Sequence, residues 1–401
     1  MAGGTYLLQI PWELDAIGGV SQVVRNLAVA LRTSHEQRAA ILIADWNAAH
    51  LQQSTHTLAH ACQVDLYRYR LRAPLANDAV IRSALSFGAA APATLSTLRE
   101  LLARLDAQAV NVHYPGENAW VWVAMKRLGM LRAPLLLSFH GQDIAGIEQA
   151  VGRQRSVWND LLRSADALVF CSTALQERLI RCVPHCSVPQ FVVYNGCDPE
   201  SIQAAAAQHD SPLPPAAGRR YLLSLGTFER KKGHDVLIDA FASMASRHVD
   251  LDLVIAGRSA DQECIDGLRL QIAAHGLGER VRLLMDVPHG PAMRLLRDSA
   301  LLAMPSRIEP FGIVALEAAA LARPVVVSDV SGVCEAIPAD MLMRFRSGEA
   351  AALAERISDM LGRPDRGQAA AERLQAFVVA NLTWRAAAAR YRELVEEVTR
   401  R

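Results

Sequence analysis

The sequence lacks any run of apolar residues near the roughly 20 that a membrane-spanning helix needs. Its first five residues carry no basic segment followed by an apolar one, which is the pattern of a secretory signal. Charge of one sign is not in excess either, because 42 basic residues face 41 acidic ones and leave a net charge of +1. That balance gives no electrostatic reason to expect a nucleic acid as partner. We therefore expect a soluble, cytoplasmic protein, with peripheral contact at the inner face of a membrane left open.

The seven cysteines show no Cys-x2-Cys spacing, which argues against a disulfide framework or a zinc site. Cys182 and Cys186 flank His185, but no fourth ligand lies nearby at the usual zinc spacing. We therefore expect free thiols, no metal site and no cofactor.

The sequence does contain an alternation of short β-rich apolar runs with longer helical patterns, which is typical of parallel sheets covered by helices. The predicted fold class is therefore α/β. The segment Ala84–Thr97, rich in alanine and containing Pro92, is interpreted as a loop and the start of a helix. The strand candidates are Thr5–Ile10, Ala39–Asp45, Gln63–Tyr69, Ala109–His113, Pro134–Phe139, Ala167–Cys171, Gln190–Tyr194, Arg220–Leu225, Leu251–Ala256, Arg280–Leu284, Ala300–Met304, Pro324–Ser328 and Met341–Phe345.

A length of 401 residues is typical of two domains. The segment His209–Gly218 holds three prolines and small polar residues, which sustain neither a helix nor a central strand, so we place the linker there. The predicted domains are residues 1–208 and 219–380. A final helix over 381–401 is expected to pack back towards the first domain.

Three loops between a strand and a helix carry chemistry. In the first, Gly18 and Gly19 let the backbone approach a ligand just ahead of a helix N-terminus, although such a pair can also be a simple tight turn. In the second, Arg230, Lys231 and Lys232 follow the strand Arg220–Leu225, where open α/β sheets bind ligands. Three cations there suit a phosphate or diphosphate, although a solvated basic turn is the alternative.

The third loop runs from Arg307 to Glu317 and carries two glutamates on either side of a glycine. Gly312 and Ile313 can offer backbone N–H groups to a diphosphate at the start of a helix, and Glu317, about one turn in, can accept hydrogen bonds from a ribose diol. Glu309 lies on the loop, free to face a sugar. A donor site for a nucleotide sugar is the function that this spacing favours.

At these residues the sequence resembles glycosyltransferase family 4, whose members are retaining enzymes of the two-domain GT-B fold. The resemblance spans nearly the whole chain and implies two Rossmann-like domains that face each other across a cleft. The matching motifs are, in order, Gly18-Gly19, His140 within Ser138–Gly141, Asn195–Asp198, the basic loop around Lys232, and Glu309-x7-Glu317.

The resemblance also implies residue roles. Lys232 and Gly312 would hold the donor diphosphate, Glu317 the ribose and Glu309 the donor sugar, while His140 would sit beside the reacting carbon. The acceptor would enter from the N-terminal side, where His113 and Glu117 follow a strand. The catalytic candidates are His140, Glu309 and Lys232, and the donor-binding candidates are Gly18, Gly19, Arg230, Lys231, Lys232, Glu309, Phe311, Gly312, Ile313 and Glu317.

Two positions depart from the family pattern. Thr227 follows the glycine of the basic loop, where many members have arginine, so the second cation of the phosphate clamp would come from Arg230 or Lys231. The segment Leu284–Val287 follows the strand Arg280–Leu284 where the family more often shows a glycine, which would alter the base pocket.

Two other signals are weaker. Asp250 and Asp252 fit the DxD pattern with which other glycosyltransferases bind a metal, but they begin a strand at the end away from the donor site. The segment Leu66–Arg72 interleaves aromatic and basic residues. We interpret it as a strand with a wet basic face, and contact with a lipid-linked acceptor at a membrane is the alternative.

The sequence thus predicts transfer of a sugar from a UDP- or GDP-linked donor to a carbohydrate or lipid-linked acceptor, in surface polysaccharide or glycolipid assembly. A nucleotide-sugar epimerase on a GT-B-like scaffold and a non-catalytic nucleotide-sugar-binding protein are the alternatives.

Overall fold

The computed structural model describes residues 4–15, 18–45, 48, 50–70, 79–207 and 219–400, with the side chains of residues 70, 79–91, 117 and 153 outside the description. The chain divides into two compact units. Unit 1 combines Met1–Asn195 with Trp384–Arg401, and unit 2 is Gly196–Thr383.

Strands and helices alternate through both units. The strands are β1 Thr5–Ile10, β2 Ala39–Asp45, β3 Gln52–Thr57, β4 Gln63–Arg70, β5 Ala107–His113, β6 Leu135–Phe139, β7 Ala167–Phe170, β8 Gln190–Val192, β9 Arg220–Leu225, β10 Leu251–Gly257, β11 Val281–Met285, β12 Leu301–Met304, β13 Val325–Ser328 and β14 Met343–Phe345. The α-helices are α1 Gly19–His35, α2 Ala79–Leu105, α3 Trp120–Arg127, α4 Ala145–Gln149, α5 Gly152–Arg163, α6 Thr173–Cys182, α7 Pro199–Ala207, α8 His234–Met244, α9 Gln262–Ala274, α10 His289–Asp298, α11 Ile313–Ala320, α12 Val333–Ala336, α13 Ala350–Gly362, α14 Pro364–Asn381 and α15 Trp384–Thr399. Short 3-10 turns cover Ala59–Ala61, Glu117–Ala119, Gln142–Ile144 and Arg230–Lys232.

Unit 1 is built on an eight-stranded sheet in the order β3-β4-β2-β1-β5-β6-β7-β8. All neighbouring strands are parallel except β3 and β4, which pair antiparallel at the edge. The central strands are largely buried and mostly apolar, as expected where helices cover both faces of a parallel sheet. The last helix, α15, packs against α1 in this unit.

Unit 2 is built on a six-stranded sheet, all parallel, in the order β11-β10-β9-β12-β13-β14. Its core lies where the apolar face of α8 meets β9 and β10, with Phe241 and Leu253 both fully buried. Within the described ranges of both units, every helix is too short or too polar to span a bilayer.

The α/β fold with parallel sheets is confirmed, and every predicted strand is present with its ends within two residues of the predicted ones. The sequence did not reveal β3, because its residues Gln52–Thr57 are polar and lie exposed or half-exposed at the sheet edge. The segment Ala84–Thr97 was interpreted as a loop and the start of a helix, and the loop is wrong, since α2 runs from Ala79 through Pro92 to Leu105.

The boundary between the units differs from the one predicted. The predicted linker, with residue 208, lies outside the described residues, and the contacts divide the chain earlier, between Asn195 and Gly196. The reason is α7, which packs against α10 and α11 and so belongs to unit 2. The second division, at Thr383, leaves α15 in unit 1.

Candidate functional site

The strand order of unit 2 marks one end of the sheet as a place for a ligand. Strands β9, β10 and β11 follow one another in one direction, and β12 lies on the other side of β9. The direction of winding therefore reverses between β9 and β12, and open α/β sheets bind ligands outside the carboxyl ends of the strands at such a point. The two loops that leave these strands are 226–233 and 305–312.

These two loops are tied together by backbone and side-chain bonds. The carbonyl of Lys231 accepts hydrogen bonds from the N–H groups of Arg307 at 2.7 Å and Ile308 at 3.2 Å. The guanidinium of Arg307 makes two bonds to the carboxylate of Asp235, at 2.6 and 2.7 Å. The loops therefore form one rigid surface, although their residues are far apart in the sequence.

One charge pair on this surface joins two of the predicted catalytic residues. Nζ of Lys232 lies 2.6 Å from Oε2 of Glu309, and the same oxygen accepts a hydrogen bond of 3.1 Å from the hydroxyl of Ser306. The side chain of Glu309 is 9% exposed and that of Lys232 is 20% exposed. A half-buried ion pair of this kind can exchange partners when an anion approaches the lysine.

The other cations of the basic loop are arranged differently from each other. Nζ of Lys231 lies 2.9 Å from Oε1 of Glu229, whose second oxygen accepts from the hydroxyl of Thr227. Lys231 is thus neutralised within its own loop, which weakens the prediction that it assists Lys232. Arg230 is exposed to solvent.

The N-terminus of α11 follows directly on the Glu309 loop. Gly312 precedes it with φ of 104°, in the left-handed region that favours glycine, and a Cβ there would come within 3.1 Å of Cε of Met304. Ile313 is the first residue of the helix, so its N–H has no partner within the helix and is available to an anion. The side chain of Phe311 is buried, so any contact of this residue with a donor would come from its backbone.

Glu317 lies on α11 with its side chain 5% exposed. Its Oε1 is 3.7 Å from Nε2 of His289, the half-exposed first residue of α10. Burial raises the pKa of the neighbouring Cys197 thiol to about 12, and the carboxylate of Glu317 adds to this rise. A buried carboxylate flanked by a histidine fits recognition of a hydroxyl pair and does not fit a solvated helix face.

Unit 1 carries a second cluster, at the carboxyl ends of β5 and β6. Nδ1 of His113 lies 3.0 Å from Nε2 of His140, with the two rings stacked 5.2 Å apart. Burial lowers the pKa of His140 to about 4 and the pKa of His113 well below its ordinary value. Both imidazoles are therefore neutral near pH 7, and one ring donates a hydrogen bond to the other.

Burial of His113 bears on its predicted role as an acceptor-binding residue. The residue is 0% exposed, and its Nε2 is buried with no hydrogen-bond partner in the described part of the chain. His140 is partly exposed. The geometry therefore suits a His113 that positions the ring of His140, and not one that touches an acceptor.

The loop after His140 is fixed by a residue that the sequence did not single out. The carboxylate of Asp143 accepts hydrogen bonds from the N–H groups of His140 and Gly141, each at 2.7 Å, and of Ile144 at 3.1 Å. Burial raises the pKa of Asp143 to about 7, although these bonds oppose the rise. An acidic residue three positions after the histidine was the available signal.

A buried polar chain under this cluster was also missed. The hydroxyl of Ser138 donates to Oδ1 of Asn111 at 2.7 Å, and Nδ2 of Asn111 donates to the hydroxyl of Tyr6 at 3.3 Å. The hydroxyl of Tyr391, on α15, lies 3.3 Å from that of Ser138. No local pattern reveals such a chain, because its members come from four separate elements.

The remaining candidates lie at other places. Gly18 and Gly19 are exposed at the N-terminus of α1 in unit 1, where a Cβ at either position would meet no atom of the described residues within 4 Å. Glu117 lies in a 3-10 turn after β5, and its side chain is outside the described part of the structure.

The weaker signals are structural. Asp252 pairs with Arg219 at 2.8 Å and Asp250 with Arg220 at 2.8 Å, at the amino end of β10. In the segment Leu66–Arg72 the described residues belong to β4, with Tyr67 and Tyr69 buried. Across the described ranges, histidine, cysteine and acidic side chains form no group of three that could hold a metal ion.

Two protein families match this chain, one in each half. Residues 17–201 match the family described as Glycosyltransferase Family 4. Residues 207–376 match the family described as Glycosyl transferases group 1.

Among curated proteins, a glycogen synthase from Mycobacterium tuberculosis is 29% identical over 251 residues, which is 60% of this chain and 58% of that protein. Among solved structures, sucrose-phosphate synthase from Thermosynechococcus elongatus superposes with a TM-score of 0.74 at 21% identity over 99% of both chains. The Anabaena protein HepE, solved in complex with UDP, superposes with a TM-score of 0.72 at 18% identity over 98% of this chain and 100% of that one.

Proposed function

The chain is a glycosyltransferase of the GT-B fold, since both of its halves match glycosyltransferase families, and on that premise we propose that it transfers a sugar from a nucleotide diphosphate sugar to an acceptor hydroxyl with retention of configuration. The observation that carries the proposal is the ion pair of Lys232 and Glu309, 2.6 Å apart at the point where the sheet of unit 2 reverses its winding.

The donor diphosphate takes the place of Glu309 at the ammonium of Lys232. The N–H groups at the start of α11, at Gly312 and Ile313, bind the same anion, since the first turn of a helix presents unpaired donors and a partial positive charge. Glu317 accepts the ribose hydroxyls, and Glu309, once released, turns to the sugar. These groups stabilise the charge that develops on the leaving diphosphate, so the reaction needs no metal.

The histidine cluster of unit 1 carries the third catalytic candidate. His140, neutral and partly exposed, contacts the donor sugar near the carbon that is transferred, and His113 and Asp143 hold its ring and its loop in place. A neutral imidazole suits this task because it can donate or accept a hydrogen bond without repelling the positive charge that develops on the sugar.

A uridine nucleotide is the donor that we favour, because a structural neighbour of this fold is solved with UDP. GDP remains the second candidate. We assign the acceptor to the carbohydrates or lipid-linked saccharides of surface polysaccharide or glycolipid assembly. A curated relative named as a lipopolysaccharide core biosynthesis mannosyltransferase, from Rhizobium meliloti, supports this class at 26% identity over 55% of the chain.

The test is a binding and turnover screen of the purified protein against UDP-, GDP-, ADP- and TDP-sugars, with EDTA in a parallel set. Binding is measured by calorimetry and turnover by release of the nucleoside diphosphate in the presence of candidate acceptors. We expect one nucleotide class to bind, Lys232→Ala to bind it about 100-fold more weakly, and turnover to persist in EDTA. The matched control is Lys231→Ala, whose ammonium is already neutralised by Glu229 and which we expect to change binding far less.

Two results would contradict the proposal. Absence of binding by all four classes would remove the donor site. If the donor binds and its sugar is only epimerised, an epimerase on the same scaffold is favoured. If the donor binds and no acceptor of a broad set is turned over, a binding protein on the same scaffold is favoured.

A further inference from the structure

Three cations around the donor loops are paired with carboxylates. Lys231 is paired with Glu229, Lys232 with Glu309, and Arg307 with Asp235. Arg258 is the first residue after β10. Its Nε is buried and has no hydrogen-bond partner among the described residues. A buried guanidinium N–H without a partner is costly, and a bound anion would satisfy it.

Arg258 stands beside the basic loop. Strands β9 and β10 are parallel, with Leu225 opposite Ala256, so the register carries Thr227 to the level of Arg258. The N–H of Phe228 donates to the carbonyl of Arg258 at 2.9 Å, which fixes this alignment beyond the ends of the strands. Adjacent strands lie about 4.8 Å apart, so the two positions are neighbours at the carboxyl end of the sheet.

The backbone before Arg258 is also in close contact with this loop. A Cβ on Gly257 would lie 1.7 Å from the carbonyl oxygen of Gly226, so only glycine allows the two chains to approach in this way. The next residues are anchored on the other side, where the carboxylate of Asp286 accepts from the N–H of Ser259 at 2.9 Å and from its hydroxyl. Arg258 is thus held on a short, braced segment between two loops.

The positive charge of Arg258 contributes to lowering the pKa of a carboxylate on either side. Burial raises the pKa of Glu229, but hydrogen bonds from Thr227 and Lys231 and the charge of Arg258 hold it below its usual value. Two hydrogen bonds from Ser259 lower the pKa of Asp286, and the charge of Arg258 adds to this. The backbone of this segment lies between the basic loop and the loop after β11, because Phe228 bonds to the carbonyl of Arg258 and Asp286 bonds to Ser259.

We propose that Arg258 is a second cation of the donor site and binds a phosphate of the nucleotide diphosphate alongside Lys232. A phosphate satisfies the unpaired Nε together with a terminal N–H, because the planar guanidinium binds a phosphate through two parallel hydrogen bonds. Position 227 carries a threonine whose hydroxyl is occupied by Glu229, and Arg258 supplies the charge that this position lacks. The proposal rests on the proposed function, since it assigns a residue to the same donor site.

The experiment measures binding of UDP, or of whichever nucleoside diphosphate the wild-type protein binds, by calorimetry. We expect Arg258→Gln to weaken binding about 10- to 100-fold, the usual worth of a charge-assisted hydrogen bond pair, and Arg258→Lys to weaken it less. The control is Arg269→Gln, on the outer face of α9, where the arginine pairs with Asp266 at the surface. Arg230→Gln tests the competing exposed cation of the basic loop.

A rescue separates binding from a structural role. The double variant Thr227→Arg/Arg258→Ser moves the cation to the neighbouring strand at the same register, and we expect it to recover most of the lost affinity. The proposal is overturned if Arg258→Gln binds like the wild type while Lys232→Ala does not, or if Arg230→Gln loses more affinity than Arg258→Gln. It is also overturned if the loss in Arg258→Gln comes with a lower melting temperature and Thr227→Arg does not relieve it. Failure of the wild-type protein itself to bind any nucleotide would instead count against the donor site as a whole.

Discussion

The two clusters at the carboxyl ends of the sheets hold their key residues by opposite means. In unit 2, Lys232 and Glu309 are a charged pair at a half-buried surface. In unit 1, His113 and His140 are a neutral pair, because burial lowers the pKa of both rings. An ion pair can release its lysine to an incoming phosphate, while a neutral pair keeps a ring in one orientation without attracting anions. The difference teaches that one cluster is built to exchange partners and the other to stay in place.

The largest effect is expected when the imidazole of His140 is removed. We expect His140→Ala to lower turnover about 100- to 1000-fold, the usual loss when a group that stabilises the transition state is removed. Donor binding, measured by calorimetry, should change little, because the donor is held by unit 2. His185→Ala, at the surface of unit 1, is the control. If His140→Ala also loses donor affinity, the assignment of donor binding to unit 2 alone is wrong.

The next test concerns how the stability of unit 1 depends on pH. The folded pKa of His140, about 4, lies below its unfolded value of 6.5, so its contribution is complete above pH 6.5 and is lost as the pH falls towards 4. The folded pKa of Asp143, about 7, lies above its unfolded value of 3.8, so its contribution is present below 3.8 and is lost as the pH rises to 7. Between pH 7 and 5 each group changes the free energy of unfolding by about 2 kcal/mol, and the two changes have opposite signs.

Replacing either residue alone should therefore change the pH dependence of the unfolding free energy, in opposite directions for the two residues. On acidification from pH 7 to 5, Asp143→Asn should lose stability relative to the wild type, and His140→Asn should gain it. Tryptophan fluorescence in urea measures this, because all six tryptophans belong to unit 1. If both variants follow the wild-type pH dependence, the two groups are not buried in the way described.

A smaller effect is expected from neutralising the exchangeable pair. Glu309→Gln leaves Lys232 without its carboxylate, so a free nucleoside diphosphate should bind as well as to the wild type or up to about 10-fold more tightly, since the carboxylate no longer competes. Turnover should fall at the same time, because the glutamate no longer reaches the sugar. Calorimetry and product release separate the two. Weaker binding of the diphosphate would show that Glu309 supports the lysine and does not compete for it.

The smallest effect is expected in the polar chain under the histidines. Tyr391→Phe removes a hydroxyl 3.3 Å from that of Ser138, a loss of about 1 kcal/mol in the stability of unit 1. Fluorescence-detected urea unfolding measures it. No change in unfolding would mean that α15 does not depend on this contact.

Most of the fold could be predicted because its signals are local. The strand Val325–Ser328 is a short apolar run bounded by Pro324, and the loops at Lys232 and Gly312 lie between a strand and a helix in the sequence itself. The edge strand β3 was missed because a half-exposed edge needs no apolar pattern.

The side chains of the candidate site were less predictable because their partners are distant in the chain. Glu309 follows Lys232 by 77 residues, and nothing local indicates that they meet. Lys231 is neutralised by Glu229, two positions away, although the run of three cations suggested a shared role. His113 looked accessible at the end of a strand, and only the packing of neighbouring elements showed that it is buried.

The return of α15 to unit 1 has a consequence for how the chain is made. Unit 2 begins and ends at adjacent points, because the N–H of Cys197 donates to the carbonyl of Leu382 at 2.9 Å, so it is an insertion within unit 1. On the ribosome the N-terminal strands emerge first, yet their sheet lacks the helix that covers α1 until Trp384–Thr399 has been synthesised. Unit 1 therefore cannot complete its packing until this last helix has been made.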